Sequence, residues 1–574
     1  MGRSERMNRM IETIDRLRRG ENSPRSAWLT LAGAMLVSVL LVLWFGRNAW
    51  FSYDELTWLS TSSRLDLSGA FEPHLGHLVL IPKLVYKLAL ETIGTDYLTF
   101  RLLTTASILL CATLFFIWAR RRVPDFVALA GCLVILLFPS DSWHLLGGNG
   151  FTVMFAMACG LAALIAWDRR DLPGDVAAFA FLLLGIATYT VALPFAVGLA
   201  VVAVLEKSGK RRLWLSLVPL ALYVLWRGLA GVAGTDPGSG GADWTNLVLL
   251  PVWTFDSLGT ILAAWSGLNF DFSRGAPMPP GTGAAPVLAL VALAAFAWRV
   301  TRGRTGPIFW GVVATLLALF AAQALGWGVL ARGPGAARYL YPGLILVLLI
   351  AVEAVRGMQW ARAPFLVLWV VTGASMLTAL GLLKENTDWL EIAREKARVE
   401  IAAVTLLDSS GQAPAPARQP RDILQPEYDS ASGDTYGYLG YDPSTLRNRA
   451  TWIGDRVDAF ISKSLTLTVA PVPASSILGR CRVARPSDGH FRLDLPPEGA
   501  VLRTSFASQV KLGRFGSGRA IRLGKIAPGS PRLLKLYPDS DPTSWFVTVK
   551  EPGLAGCSVV GSGPFPVASL PIGE

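Results

Sequence analysis

Charge is scarce in this chain of 574 residues: Asp, Glu, Lys and Arg together make up 16%, while hydrophobic residues reach 52% and mean hydropathy is +0.44. A soluble protein of this size could not keep its surface wet with so few charges. Histidine is scarcer still, with four residues, and there are five cysteines. His74 and His77 form a His-x-x-His pair that lacks the third converging ligand of a zinc site, so no metal is assigned and a divalent cation stays open. Nucleotide-driven transport has no support either. The one glycine-rich candidate, "GSGRAIRLGK" at 516–525, lacks the Lys-Ser/Thr end of a phosphate loop. No Gly-x-Ser-x-Gly sits in a strand-turn-helix setting, which removes serine hydrolases. The first 26 residues carry no signal-peptide pattern. Met7, Met10, Ile11, Ile14 and Leu17 instead fall at helical spacing and predict a short amphipathic helix on the membrane surface.

What the chain has in abundance is apolar runs long enough to cross a bilayer core of roughly 30 Å. About eleven spans are predicted: 27–46, 97–118, 124–139, 151–167, 175–190, 191–206, 213–230, 285–299, 307–326, 338–355 and 364–383. Thr188-Tyr189-Thr190 and Pro194 divide the stretch 175–206 into two short passes. Basic clusters stand at Arg16 to Arg19, Arg120 to Arg122, Arg169-Arg170, Lys207 to Arg212, Arg299 to Arg304, and Arg356 with Arg362. These are alternate loops, so the positive-inside rule makes all of them cytoplasmic. Loops 47–96, 140–150, 231–284 and 327–337, and everything after residue 384, then fall outside. The formal charge of +12 is largely this topogenic arginine and gives no support to nucleic-acid binding.

Beyond the last span the composition changes. Residues 386–407 predict an amphipathic helix capped by Asn386 or Thr387, followed by the Pro/Ala linker "SSGQAPAPARQPRD". From 420 to 574, alternating stretches such as "FRLDL", "AVLRTSF", "AIRLGKI", "PRLLKLY" and "SWFVTVK" predict a β-sandwich. Cys481 and Cys557 are the two cysteines of this part, and an oxidising exterior favours their pairing as a disulfide. Cys111, Cys132 and Cys159 lie within spans, where packing is their expected role. The expected organisation is a surface segment 1–26, a polytopic α-helical membrane domain 27–383, a connector 384–419 and an extracytoplasmic sandwich 420–574.

Two adjacent acids, Asp54 and Glu55, follow the first span among Trp50, Phe51, Tyr53 and Trp58. "SYDELTWL" resembles the Asp-Glu signature of the GT-C glycosyltransferases, especially the protein mannosyltransferase and aminoarabinose transferase branch. The continuation 74–110, "HLGHLVLIPKLVYKLALETIGTDYLTFRLLTTASILL", is similar to that family's first outer loop. "ARYLYPGLILVLLI" at 337–350 resembles the Arg-Tyr-x-x-Pro opening of a late span. The sandwich matches no motif, although an outer C-terminal sandwich resembles the arabinosyltransferases within GT-C.

The resemblance implies an inverting enzyme of the plasma membrane. It would move a sugar from a polyprenyl-phosphate donor to a cell-envelope glycan or protein acceptor on the outer face. Asp54 is then the expected base, with Glu55 orienting the acceptor or sharing that role. Arg101 and Arg338 are expected near the departing phosphate, where a forked guanidinium suits the oxygens. Tyr339, His74, His77, Lys83, Asp141 and His144 are expected to line the substrates, with Tyr86, Arg227, Trp244 and Asn149 as weaker candidates. Each assignment has a plainer alternative. Asp54 can cap an interfacial helix, the arginines can snorkel, and Asp141 can close a turn. Two other functions remain open at this level: a lipid-linked glycan flippase, with Gln323, Thr188 and Thr190 along a path, and a glycan-binding scaffold.

Overall fold

The computed structural model describes residues 24–51, 54–62, 65–74, 76–138, 145–206, 209–230, 243–268, 281–303, 305–326, 333–409, 440–442, 451–464, 468–472, 481–487, 489–496, 499–518, 521–536 and 543–557. It also describes short pieces at 12, 15–17, 270–271, 276–277 and 446. The chain divides into two compact units: residues 1–50 with 61–391, and residues 51–60 with 392–574.

The helices, in chain order, begin with α1 (Pro24–Phe45), α2 (Asp54–Ser62), α3 (Leu67–Phe71), α4 (Leu80–Thr92), α5 (Tyr97–Ala119) and α6 (Asp125–Leu136). There follow α7 (Gly150–Trp167), α8 (Leu172–Thr188), α9 (Leu193–Leu205), α10 (Trp214–Leu229) and α11 (Leu250–Trp265). The last are α12 (Ala285–Thr301), α13 (Pro307–Leu325), α14 (Ala337–Ala354), α15 (Arg362–Ser409) and α16 (Thr451–Ser464). Among the described residues, seven segments are long and apolar enough to cross a membrane, and α6, α8, α9 and α12 are shorter apolar helices. The chain is a multi-pass α-helical membrane protein with a C-terminal β-sandwich.

α7 is the buried centre of the first unit, and its Ala156, Ala158, Ala163 and Gly160 let neighbouring backbones approach. A close approach joins α9 to α13, where a Cβ on Gly198 would collide with Thr315 and the carbonyl of Gly311. On α1 the large side chains of Leu29, Leu36 and Leu40 stay exposed, as a lipid-facing stripe requires. The expected break within 175–206 is present. Asp171 caps α8 by accepting the Gly174 N–H at 2.7 Å, Tyr189 is extended, and Pro194 opens α9 in its first turn.

Ion pairs gather the basic loops on one side. Arg122 donates to Asp168 at 2.8 Å and to Glu353, and lies 3.9 Å from the Trp118 ring. Arg212 repeats the device, donating to Asp175 at 2.8 Å and to the Trp167 carbonyl at 3.0 Å over the Trp167 ring. The ends of α5, α7 and α14 therefore lie together, as the alternation of arginine-bearing loops requires. On the opposite side, Thr387 donates to the Phe45 carbonyl at 2.9 Å and Thr104 to the Gly148 carbonyl at 2.7 Å.

Two expectations need correction. Loop 231–284 contains α11, which with Trp244–Leu249 is long and apolar enough to be a span. Its neighbours argue that it does not cross. Asp243 meets the end of α13 at Leu325, Ser257 donates to the Pro334 carbonyl, and Gly259 abuts Ala285 at the start of α12. These contacts are with ends on the side opposite the arginines, whereas Ile261 and Gly267, at the far end of α11, reach Gly343 of α14 and Ala374 and Thr378 of α15. α12 starts beside α11 on the same side, so the alternation survives. The second correction concerns Asn386 and Thr387, which cap nothing. α15 runs unbroken through both, and their side chains donate to the carbonyls of Leu382 and Leu383 four residues back. Within α15, residues to Glu391 belong to the first unit and the rest to the second.

Strands β1 (Phe270–Asp271) and β2 (Ala276–Pro277) pair within the α11–α12 connection. In the second unit the first described strand begins at Thr468, and residues 420–439 of the expected sandwich 420–574 lie outside the described residues. α16 precedes that strand, and the strands are β3 (Thr468–Pro471), β4 (Cys481–Val483), β5 (Arg485–Ser487), β6 (His490–Asp494) and β7 (Gly499–Thr504). The series continues with β8 (Ser508–Gly513), β9 (Ile521–Ile526), β10 (Arg532–Lys535), β11 (Phe546–Val549) and β12 (Leu554–Cys557). One sheet has the order β3-β10-β7-β12-β4 and the other β5-β6-β11-β8-β9. Leu502, Val510, Leu512, Leu534, Val547 and Leu554 fill the space between. Cys481 and Cys557 are bonded and stand directly opposite on paired β4 and β12.

α16 is tied to the β8–β9 loop by two carboxylates. Asp458 accepts N–H bonds from Arg514, Phe515 and Gly516 at 2.8, 3.0 and 3.1 Å, and Asp455 accepts from the Ser517 N–H at 2.7 Å. Burial pushes the Asp458 carboxyl up to about 6 from 3.8, against the opposing pull of its three N–H donors. A carboxyl raised on folding favours the folded state most when protonated. The stability of this unit should therefore fall between about pH 4 and pH 6, by about 3 kcal/mol. Asp458→Asn should abolish that dependence and, by setting an NH2 against N–H donors, cost about 1–3 kcal/mol at pH 7.5. Denaturant melts of the wild type and variant at several pH values read both effects.

The disulfide closes a long loop, with a sequence separation of 76. Cys481→Ser should cost the second unit about 2–4 kcal/mol. The check is the denaturant concentration at which a protease first cuts within 468–557, which should drop to the same value for the variant and for the reduced wild type.

Candidate active site

Asp54 opens α2, and its side chain lies outside what the structure describes. Glu55 is fully buried, as are Phe51, Leu56, Trp58 and Leu59 around it in sequence. An acid at the first turn of a helix is favoured by the helix dipole, which accounts for the local start of α2.

The rest of the first loop belongs to the first unit and is held rigidly. Asp66 caps α3 by accepting the Gly69 N–H at 2.7 Å, which with the Ser68 hydroxyl holds its carboxyl below the usual range. His74 and His77 exchange both backbone hydrogen bonds, at 3.0 and 2.9 Å, across a tight turn in which Gly76 has φ 78°. Glycine suits that left-handed position because it has no Cβ. Three elements then clamp the turn. Arg227 and Trp226 of α10 donate to the carbonyls of Gly76 and Phe71 at 2.7 and 2.8 Å. Lys83 of α4 donates to the carbonyls of Gly69 and Glu72, each at 2.7 Å. At the α8–α9 break, Thr190 lies 2.8 Å from His77 Nδ1, and the Tyr189 ring is 4.9 Å from the imidazole.

These contacts revise several expected roles. Lys83 spends two of its three N–H bonds on loop carbonyls, and burial pushes its amine below the ordinary lysine value. Arg101 is 5% exposed and donates to the carbonyls of Val42 and Leu43 at 2.7 and 3.0 Å. It closes the C-terminal end of α1, where orphan carbonyls attract a cation. Arg338 is half-buried in the first turn of α14, 5.2 Å from the ring of Tyr339, also half-buried. The segment before it is pinned from two helices: Gln323 of α13 donates to the Gly333 carbonyl at 2.7 Å, and Ser257 of α11 to that of Pro334 at 3.2 Å. Asp141 and His144 lie outside the described residues. The described end of their loop is fixed by Tyr97, whose hydroxyl accepts the Gly148 N–H at 2.9 Å. Among the described residues, no three His, Cys, Asp or Glu side chains converge as a metal site would need.

The structure thus brings His74, His77 and Lys83 into one clamped loop with Arg227, Trp226, Tyr189 and Thr190. From sequence alone Arg227 is a weaker candidate and Thr190 part of a span break. Both were visible as polar groups at the ends of apolar runs, but nothing local connects residue 190 or 227 with residue 76.

No protein-family model matches the chain, and no curated protein does. Among solved structures, the chain is similar to ArnT from Cupriavidus metallidurans bound to undecaprenyl phosphate, at 15% identity over 66% of this chain and 80% of that one, with a TM-score of 0.43. It is also similar to the Archaeoglobus fulgidus oligosaccharyltransferase tethered to an acceptor peptide, at 10% identity over 78% of this chain and 73% of that one, with a TM-score of 0.41. Both are GT-C proteins.

The clamp itself can be tested by hydrogen exchange. Arg227→Leu removes a charged donor from the Gly76 carbonyl, a bond worth about 1.5–3 kcal/mol. The amides of residues 74 and 77 should exchange at least about tenfold faster, while those of α7 stay protected.

Proposed function

We propose that this protein is an integral-membrane inverting glycosyltransferase. It takes a sugar from a polyprenyl-phosphate donor and passes it to a cell-envelope glycan or protein on the side opposite the arginine loops. The observation that carries the reading is the pair Asp54-Glu55 at the first turn of α2, with Glu55 fully buried, in a stretch that resembles the GT-C signature.

In this reaction the acceptor hydroxyl attacks the anomeric carbon and yields its proton to the Asp54 carboxylate. The bond from that carbon to the phosphate oxygen breaks, and the lipid phosphate departs with the electron pair. Attack from the opposite face inverts the centre. Glu55 orients the acceptor, and Arg338 offers its guanidinium to the phosphate. A flippase path has little support, because the hydroxyls of Thr105, Thr188 and Thr315 bond back to carbonyls of their own helices.

Asp54→Asn separates base from cap. Asn caps a helix about as well as Asp, so a capping role predicts nearly normal transfer. Loss of the base predicts a fall of roughly two to four orders of magnitude, with donor binding and membrane yield retained. The assay is transfer from a panel of polyprenyl-phosphate pentoses and hexoses by the protein in lipid nanodiscs. Near wild-type transfer by the Asn variant overturns the assignment.

A further inference from the structure

The second sheet of the sandwich carries a feature that sugar transfer does not use. Strand register places Arg485 of β5 opposite Arg492 of β6, Arg492 opposite Thr548 of β11, Thr548 opposite Lys511 of β8, and Lys511 opposite Arg522 of β9. Directly opposed residues share a face of the sheet. Their neighbours along the strands, Leu493, Val547, Leu512 and Ile521, lie in the core, so this row is on the outer face. Lys525, opposite Gln509, extends it by one more cation. Arg485, Arg522 and Lys525 are exposed and Lys511 is half-buried. Among the described residues none of these four has an ion-pair or hydrogen-bond partner. Arg492 has one: it donates to Asp494 at 3.0 Å and lies 3.6 Å from the Phe546 ring.

Like charges directly opposite destabilise a sheet. Here they occur twice in one row, Arg485 against Arg492 and Lys511 against Arg522. At the centre, the Thr548 hydroxyl donates to the Gly518 carbonyl at 2.9 Å, and the β8–β9 loop lies over the face there. The loop is itself anchored by Asp455 and Asp458 of α16. Two cation pairs therefore flank a fixed ridge. With strands about 4.8 Å apart, the row spans about 19 Å in single file.

We propose that this outer face is a docking surface for an extended polyanion, an acidic polysaccharide with carboxylate or phosphate groups along its chain. A linear polymer running across the strands meets both cation pairs and relieves their mutual repulsion. A lipid surface fits less well, since the exposed apolar side chains of the strand region, Val483 and Phe506, lie outside these five strands and a membrane-surface site normally sets apolar groups beside its cations.

The test uses the full chain in phosphatidylcholine nanodiscs and needs no transfer assay, so its outcome is separate from that of the proposed reaction. The probe is a linear oligogalacturonate, with its methyl ester as an uncharged control. Binding of the acid should weaken as salt rises. R485Q with R492Q, and K511Q with R522Q, should each weaken it by at least about tenfold, and all four together should abolish it. R503Q, an exposed arginine of the other sheet, should change nothing. The fourfold variant should melt no lower than the wild type, because repulsion has been removed. Unchanged binding by the fourfold variant, or equal binding of the methyl ester, overturns the proposal. So does co-sedimentation with phosphatidylglycerol vesicles without binding of the polyuronate, which would make the face a lipid contact.

Discussion

Arg122 reaches from the end of α5 to Asp168 beyond α7 and to Glu353 in the last turn of α14, with Trp118 beneath its guanidinium. Glu353 is 5% exposed. Without this arginine it would be a buried charge with little compensation, a loss of about 3–5 kcal/mol in comparable pairs. The link matters beyond its own energy because it fixes which helix ends lie together. Once the ends of α5, α7 and α14 share a side, the end of α1 and the start of α14 must lie on the other. Arg338, at the start of α14, is thereby placed on the side away from the arginine loops.

On that opposite face, cations serve carbonyls more than acids. Arg101 closes the end of α1, while Arg227, Lys83 and Lys87 hold the carbonyls of Gly76, Gly69, Glu72 and Leu65. A long loop leaving a membrane has many backbone acceptors and no regular ladder to satisfy them. Charged donors from α4 and α10 supply what secondary structure does not. The result is a stiff loop around His74 and His77, which suits a site that must hold geometry through a group transfer. Lys83 illustrates the cost, because the same burial that fixes it weakens its hold on a proton.

In the second unit the same need is met with the opposite charge. Asp458 and Asp455 gather the N–H groups of the β8–β9 loop, which has donors to place where the first loop has acceptors. That loop then covers the middle of the outer sheet and leaves the basic side chains on either side uncovered. The disulfide ties the edge strand β4 to its neighbour β12 within the sheet β3-β10-β7-β12-β4, so the two sheets are secured by different means.

The sequence by itself determined the membrane class, most of the spans, their alternation and the later strands of the sandwich. Each rests on a local quantity: apolar length against bilayer thickness, arginine count per loop, and alternation along a strand. It also singled out Asp54-Glu55, Cys481 with Cys557, and the His loop, because acids, cysteines and histidines are rare enough here to stand out. The tertiary structure decided what depends on distant partners. α11 has the apolar content of a span, yet α12 starts beside it on the same side, which no window of residues can reveal. Asn386 and Thr387 have the side chains of a cap, yet bond backward within a helix that continues. By sequence Arg101 stands where a phosphate ligand would, and its guanidinium also donates to the end of α1, 58 and 59 residues away. The cation row of the sandwich exists only in the pairing of five strands, since its members are spread from Arg485 to Thr548. Hydrophobicity is a property each residue carries with it, but a hydrogen bond or a repulsion belongs to a pair, and only folding chooses the pairs.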